Sequence, residues 1–192
     1  RKAGGGMNRT AWRRENVNAL LRTLYALTKA QSPQAQFTIS PAADVKKNER
    51  TLYADVRRWC REDGYCDRII PQLYFGFLHQ TLPFDRCLNT WMKLCESNPQ
   101  KLCVGLAVYK VGETDPYAGE RGKSEWIDDS TILRREIDLL GSDCHNMAER
   151  APNLGPAVEY IESKLDPAVL DRIDRRGRPI FRAALGARSS AD

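Results

Sequence analysis

Polar and aromatic side chains lie within three apolar runs of the sequence, and their types suit ligand binding. Ser40 lies near the end of the first run, Gln72 and Tyr74 lie in the second, and Tyr109 and Lys110 lie near the end of the third. Gln72 and Tyr74 are two positions apart, so both point to one face of an extended strand. The Gln72 amide could hydrogen-bond a ligand hydroxyl, and it could equally well brace a neighbouring backbone.

Aromatic residues could add an apolar platform for a sugar ring, although aromatic side chains also fill ordinary cores. Trp126 lies in a long loop after the third run, and Gly112, Gly119 and Gly122 are expected to make this loop flexible. Lys110 needs a carboxylate partner or solvent, because an unpaired buried charge is costly. The candidate substrate-binding residues are Ser40, Gln72, Tyr74, Tyr109, Lys110 and Trp126.

The apolar runs recur at a regular spacing. FTISPA begins at Phe37, RIIPQLYFGF at Arg68 and LCVGLAVYKV at Leu102, so the starts are 31 and 34 residues apart. Each run is nearly continuous in apolar residues, as parallel strands buried on both faces are, and a helical pattern follows it. A (β/α)8 barrel of roughly 250 residues has about 31 residues per unit. The sequence therefore predicts an α/β fold, a partial (β/α)8 TIM barrel with three parallel strands and flanking helices.

The predicted elements place the candidate residues at one edge of the sheet. Strands are expected near 36–41, 67–75 and 102–109, and helices near 11–31, 48–62, 84–96 and 129–145. The first helix should bury one apolar face, formed by Val17, Leu20, Leu21, Leu24 and Leu27. Asn48 should open the second helix, Gly64 should close it, and Ser130 should cap the last. Pro71 cannot donate to a sheet ladder, which implies a bulge or a missing bond there.

Composition excludes several classes of function. The 192 residues carry a net charge of +5, and the basic residues at the two ends are not interleaved with aromatics, which disfavours nucleic-acid binding. No run of 18 apolar residues occurs, so no membrane span is expected. The first residues, RKAGGGMNR, have no signal-peptide character, and the chain does not begin with Met. We expect an excerpt of a longer polypeptide.

The cysteines are expected to be buried thiols, and whether any of them pair is left open. Four of the six lie on predicted core faces, and Cys60 and Cys66 could meet across a helix end. There is no C-x-x-C pair, and His79 and His145 are far apart, so neither a metal site nor a cofactor is predicted. The segment GERGKSEW is no phosphate-binding loop, because its required first glycine is Tyr117.

Five stretches of the sequence are distinctive. They are WRRENVNALLRTLYALTKAQSPQAQFTISPAADV, LYADVRRWCREDGYCDRIIPQLYFGF, PFDRCLNTW, LCVGLAVYKVG and the YAG…EW loop. Together they resemble the glycosyl hydrolase-like family 10 domain of bacteria, also described as family 10 glycosylhydrolases, over about residues 4–147. The resemblance implies a (β/α)8 barrel that acts on the glycosidic bonds of a polysaccharide, such as cell-wall glycan. It also implies an extracellular or cell-envelope location, and no obligate protein partner is predicted.

The resemblance divides the chain into two regions. Residues 1–147 are interpreted as a partial glycosyl hydrolase-like barrel domain, and 148–192 as an atypical tail with short helical patterns interrupted by prolines. In the family, a strand with acidic and aromatic residues precedes the segment GGGMNRTAWRRENVN, and we expect it upstream of Arg1. The family's last strand is expected after Met147, and the tail does not resemble it.

The catalytic residues remain unassigned. Glycoside hydrolysis ordinarily needs two carboxylates, about 5–5.5 Å apart for retention or about 6.5–9.5 Å for inversion. The carboxylates near the strand ends are expected to be solvated, and they are Asp44, Glu113, Asp115, Glu120 and Glu125. We predict a glycoside hydrolase; the alternatives are a non-catalytic carbohydrate-binding barrel fragment and, third, a basic nucleic-acid-binding α/β protein. Open sheet edges predict that the isolated chain associates.

Overall fold

The computed structural model describes residues 6–110 and 112–128, together with Ala168, Asp171 and Arg175. Two units divide the chain. The first takes in Arg1–Ala107 and Asp115–Lys123, and the second takes in Val108–Thr114 and Ser124–Asp192. The helix predicted near 129–145, its cap Ser130 and most of the tail 148–192 lie outside the described residues.

The first unit alternates helices and short strands. Its elements are α1 (Arg9–Gln31), β1 (Thr38–Ile39), α2 (Val45–Arg50), α3 (Val56–Arg61), β2 (Arg68–Ile69), α4 (Phe84–Leu94) and a 3-10 turn at Pro99–Lys101. The described part of the second unit contains a 3-10 turn at Val108–Lys110 and α5 (Glu125–Asp128). No helix in the described residues is both long and apolar enough to span a membrane.

Helix α1 begins where its cap residue dictates. The Asn8 side chain accepts a hydrogen bond from the Ala11 N–H at 2.9 Å, which satisfies a donor left open in the first turn. The prediction of a single buried apolar face is wrong. Val17 and Leu21 pack against the core, whereas the leucines of the neighbouring stripe are exposed: Leu20, Leu24 and Leu27.

The helix predicted near 48–62 is two helices. Asp44 caps α2 by accepting the Lys46 N–H at 2.8 Å, so Asn48 lies inside α2 and does not open it. The helical conformation is interrupted between α2 and α3, in the stretch that contains Tyr53. The φ of Tyr53 is 54°, in the left-handed region, which is uncommon for a residue with a side chain. Gly64, with φ 84°, follows α3 in the same left-handed region.

The sheet is parallel, as predicted, but its strands are short. β1 pairs with β2 in the register Thr38↔Arg68 and Ile39↔Ile69. Three single parallel bridges extend the pairing. Ala42↔Gln72 joins the first and second runs, and two bridges reach the third run, Ile69↔Leu102 and Gln72↔Gly105. The three segments therefore lie side by side in chain order, which gives an α/β fold. The third run forms single bridges and then a 3-10 turn, and not the continuous strand expected near 102–109.

Proline explains why the strands end early. Pro41 and Pro71 follow the two-residue strands closely, and neither has an N–H to donate to the ladder. The Leu73 N–H donates to the Pro71 carbonyl at 3.0 Å and to the Gly105 carbonyl at 2.9 Å. The backbone turns tightly at Pro71 while it stays attached to the third segment, which fits the predicted local break.

The core of the first unit lies between the sheet and the helices α3 and α4. Ile69 and Leu73 from the second segment, Val56 from α3 and Trp91 from α4 are fully buried. The Trp91 indole N–H donates to the Ala43 carbonyl at 2.9 Å, so the largest buried ring also ties α4 to the chain after β1. This packing holds the carboxyl ends of the parallel segments side by side.

Candidate functional site

The carboxyl edge of the sheet brings two predicted site residues into contact. The Gln72 side-chain N–H donates to both the backbone carbonyl and the hydroxyl oxygen of Ser40, each at 3.4 Å. The bridge Ala42↔Gln72 sets this register. Both contacts are long for N–H···O bonds, whose usual distance is about 2.9–3.0 Å. Gln72 therefore braces Ser40 weakly, and a ligand hydroxyl could displace these contacts at little cost.

Tyr74 lies against the third segment. A Cβ placed on Gly105 would be 3.2 Å from the Pro71 carbonyl oxygen and 3.6 Å from a ring carbon of Tyr74. The first distance is tighter than an ordinary contact, so a side chain here would require its neighbours to shift by a few tenths of an ångström. Gly105 thus brings the Tyr74 ring next to the Gln72↔Gly105 bridge. Ser40, Gln72 and Tyr74 share one edge of the first unit.

The other three candidates belong to the second unit. Tyr109 is 67% exposed, Lys110 is partly buried and Trp126 is 2% exposed. Two backbone hydrogen bonds organise this region. The Gly112 N–H donates to the Trp126 carbonyl at 3.0 Å, and the Glu113 N–H donates to the Lys110 carbonyl at 2.9 Å. Tyr109 has ring surface available for a ligand, whereas Trp126 offers very little. A cleft shared by all six residues stays a prediction.

Two of the three glycines in the third loop, Gly119 and Gly122, are closely packed, whereas nothing lies within 4 Å of a Cβ added to Gly112. Residues 115–123 dock on the segment after β2, where the Gln80 N–H donates to the Ala118 carbonyl at 2.8 Å. A Cβ on Gly122 would lie 2.9 Å from the Leu78 carbonyl oxygen. Gly119 has φ 80°, and a Cβ there would lie 2.7 Å from the Gln80 side-chain oxygen. Both positions therefore require glycine.

Two loop carboxylates are buried, which differs from the solvated state expected for them. Asp115 is 3% exposed and Glu125 is 5% exposed, while Glu113 and Glu120 are exposed. Aspartate and glutamate are rarely buried unless they are paired or bonded. Asp115 accepts the Tyr117 N–H at 3.1 Å, which closes a local turn. The sequence D-P-Y-A, with Asp before Pro, is a turn signal that could have indicated this geometry.

A histidine that sequence reasoning set aside shapes the loop after β2. His79 is buried, and its Nδ1 accepts the N–H groups of Thr81 at 3.3 Å and Leu82 at 3.1 Å. Its ring packs edge-on against Phe75, with 4.7 Å between the ring centroids. With Nδ1 as an acceptor, the proton of the neutral ring lies on Nε2. His79 thus fixes the loop that carries Leu78 and Gln80.

The thiols in the described part of the chain are mostly buried, as predicted, and they are free. The buried ones are Cys60, Cys66, Cys87 and Cys95, Cys103 is partly buried, and Cys144 lies outside the described residues. Cys60 and Cys66 are not joined. Burial raises the pKa of Cys66 to about 11, which makes it a poor nucleophile at neutral pH. Within the described residues, no cluster of His, Cys, Asp and Glu could hold a metal ion.

Residues 5–121 match the family described as Glycosyl hydrolase-like 10, which is more than half of the chain. The chain belongs to this family. The match confirms the resemblance found in the sequence over residues 5–121, a shorter span than expected. It includes Ser40, Gln72 and Tyr74 at the carboxyl edge, whereas Trp126 lies beyond it.

Curated proteins that are similar to this chain are also named glycosyl hydrolases. Glycosyl hydrolase YngK of Bacillus subtilis (strain 168) is 31% identical over 150 residues, which is 70% of this chain and 29% of that protein. Glycosyl hydrolase DigH of Escherichia coli (strain K12) is 28% identical over 156 residues, which is 72% of this chain and 34% of that protein. The chain therefore spans about a third of the length of the relatives it matches.

Proposed function

We propose that this chain forms part of a glycoside hydrolase that cleaves a polysaccharide, with cell-wall glycan as the leading substrate class. The supporting observation is the family match over residues 5–121, which includes the strand-end residues of the carboxyl edge. Relatives named glycosyl hydrolase support the same reaction class. An exported or envelope location follows from this substrate and is part of the proposal.

The proposed scaffold is a (β/α)8 barrel in which the three parallel segments are consecutive units. Their adjacency in chain order supports this arrangement, because sequential βα units of a barrel pair in that way. In such barrels the active site lies at the carboxyl ends of the strands. Ser40, Gln72 and Tyr74 occupy this edge and are assigned to substrate binding.

The chemistry of these side chains fits a polyhydroxylated ligand. The Gln72 amide can donate and accept at once, which matches sugar hydroxyls, and its weak bonds to Ser40 are readily exchanged. The Tyr74 ring supplies apolar surface beside Gly105, the bridge partner of Gln72. Asp115 is the buried carboxylate of the first unit, in the loop after the third segment, and is the first position to test as an acid.

The test measures product release and binding separately. The full chain is incubated with peptidoglycan sacculi and a panel of β-linked polysaccharides, and new reducing ends are counted. Release that falls in Gln72→Ala while folding is unchanged would support the proposal. Binding without release would favour the carbohydrate-binding alternative. If neither occurs with any glycan, the proposed function is wrong, and binding to single-stranded DNA that weakens steeply with salt would favour the nucleic-acid alternative.

A further inference from the structure

Tyr117 is the most exposed large hydrophobic side chain in the described residues, at 86%. It lies within the family match and within the loop segment 115–123, which we call the docked loop. A single exposed aromatic ring is ordinary on a protein surface. What sets Tyr117 apart is the rigidity of the backbone that presents it.

The turn under Tyr117 is closed by several hydrogen bonds. The Tyr117 N–H donates to the Asp115 carboxylate at 3.1 Å, and the Ala118 N–H donates to the Asp115 carbonyl at 3.2 Å. The Asp115 N–H donates in turn to the Lys123 carbonyl at 2.9 Å. Pro116 has a fixed φ at the second position of this turn. These bonds set the backbone position of Tyr117 before any ligand arrives, which lowers the backbone entropy lost on binding.

The docked loop fixes Tyr117 next to the segment that leaves the carboxyl end of β2. Gln80 N–H donates to the Ala118 carbonyl at 2.8 Å, one residue after Tyr117. The close approach of Gly122 to the Leu78 carbonyl leaves no room for a side chain between the two segments. Gln72 lies on the same stretch of chain, eight residues before Gln80, so the loop that presents Tyr117 is docked on the segment that continues from the edge assigned to substrate binding.

We propose that Tyr117 is a stacking platform for a sugar ring of the polysaccharide, at the rim of the carboxyl edge. This inference rests on the proposed function and adds a binding residue to it. The apolar face of a pyranose packs on an aromatic ring, and a ring of this size buries roughly 150–250 Å². The docked loop has two acidic residues, Asp115 and Glu120, and two basic ones, Arg121 and Lys123, so it has no net charge that would select a polyanion.

The experiment compares three variants of the full chain. Tyr117→Ala removes the ring, Tyr117→Phe keeps it without the hydroxyl, and Trp12→Ala removes a partly exposed ring from α1 as a matched control. Binding of a β-1,4-linked N-acetylglucosamine hexasaccharide and of soluble peptidoglycan glycan strands is measured by calorimetry. Thermal unfolding of each variant checks the fold. We expect Tyr117→Ala to weaken binding about tenfold, and the other two variants to stay within about twofold of the unaltered chain.

The outcomes separate this inference from the proposed function. If Gln72→Ala weakens glycan binding and Tyr117→Ala does not, the platform is wrong and the proposed function stands. If the unaltered chain binds no glycan, both the proposed function and the stacking role of Tyr117 are wrong. If Tyr117→Ala instead abolishes salt-sensitive binding of a single-stranded oligonucleotide, the ring stacks on bases and the sugar platform is overturned.

Discussion

The side-chain contacts at the two ends of the parallel sheet differ greatly in strength. At the amino end, Asp67 accepts the Phe37 N–H at 2.7 Å and forms an ion pair with Lys29 at 2.8 Å. At the carboxyl end, Gln72 reaches Ser40 only at 3.4 Å. Charge-assisted bonds at short distance are roughly twice as strong as neutral ones. One end of the sheet is therefore built for stability, and the other keeps polar groups that can change partners.

The largest effect is expected from Asp67→Ala. The change removes the ion pair with Lys29 and leaves the Phe37 N–H without its acceptor, and Tyr25 loses its bond to the same carboxylate. Hydrogen bonds to a charged group contribute about 1.5–3 kcal/mol each, but Lys29 and Asp67 are partly exposed and solvent weakens their interaction. We therefore expect the free energy of unfolding to fall by about 2–3 kcal/mol in total. Urea unfolding of the full chain measures it. A decrease in the free energy of unfolding of less than about 0.5 kcal/mol would show that the Asp67 contacts stabilise the amino end no more than the Gln72 contacts stabilise the carboxyl end.

The same carboxylate should make stability depend on pH. Burial alone would raise the pKa of Asp67, but hydrogen bonds from Lys29 and the Phe37 N–H outweigh it, and the pKa lies below its ordinary value of 3.8. A group with a lowered folded pKa contributes stability that is complete above its unfolded pKa and is lost as the pH falls through the folded pKa. The free energy of unfolding should therefore drop below about pH 4.

The variant Asp67→Asn provides the control for this pH dependence. It keeps the size of the side chain and removes its titration, so its stability should change less with pH below about pH 4. Glu15 also has a lowered pKa, chiefly because it accepts a hydrogen bond from Arg22, and it is more exposed than Asp67. Identical pH profiles for Asp67→Asn and the unaltered chain would assign the loss to other carboxylates.

A smaller effect is expected where the docked loop meets the segment after β2. Gly122→Ala places a Cβ 2.9 Å from the Leu78 carbonyl oxygen and from the Ala118 Cβ, so the two segments must move apart. Overpacking of this kind costs about 1–3 kcal/mol. Hydrogen exchange of the Gln80 N–H should accelerate, because it donates to the Ala118 carbonyl. Gly6→Ala is the matched control, since nothing lies within 4 Å of its added Cβ.

The contrast between the two ends also separates what the sequence could predict from what it could not. Apolar runs at regular spacing predicted three adjacent parallel segments, because burial on both faces leaves a compositional signal. The exposed leucines of α1 were mispredicted, because periodicity shows which residues share a stripe and not which stripe meets the core. Asp67 was missed as an organising residue because its partners, the Lys29 side chain and the Phe37 N–H, are distant in the sequence. His79 was missed because it accepts backbone N–H groups, which no side-chain pattern reveals. The burial of Asp115 depends on the docked loop, which is a tertiary feature.

The smallest effect on stability is expected at Gln72. This position tests directly whether the carboxyl end serves ligand binding and not stability. Gln72→Ala removes two weak bonds to Ser40, so the free energy of unfolding should change by less than about 1 kcal/mol. Glycan binding should weaken several-fold if the amide meets sugar hydroxyls, because a partner at the ligand is then lost. Both quantities are measured on one preparation, with Asn98→Ala as the control, since its amide also donates to a backbone carbonyl, that of Arg61 at 2.9 Å. A Gln72→Ala chain that binds glycan normally but unfolds more readily would make this amide a backbone brace and remove it from the site.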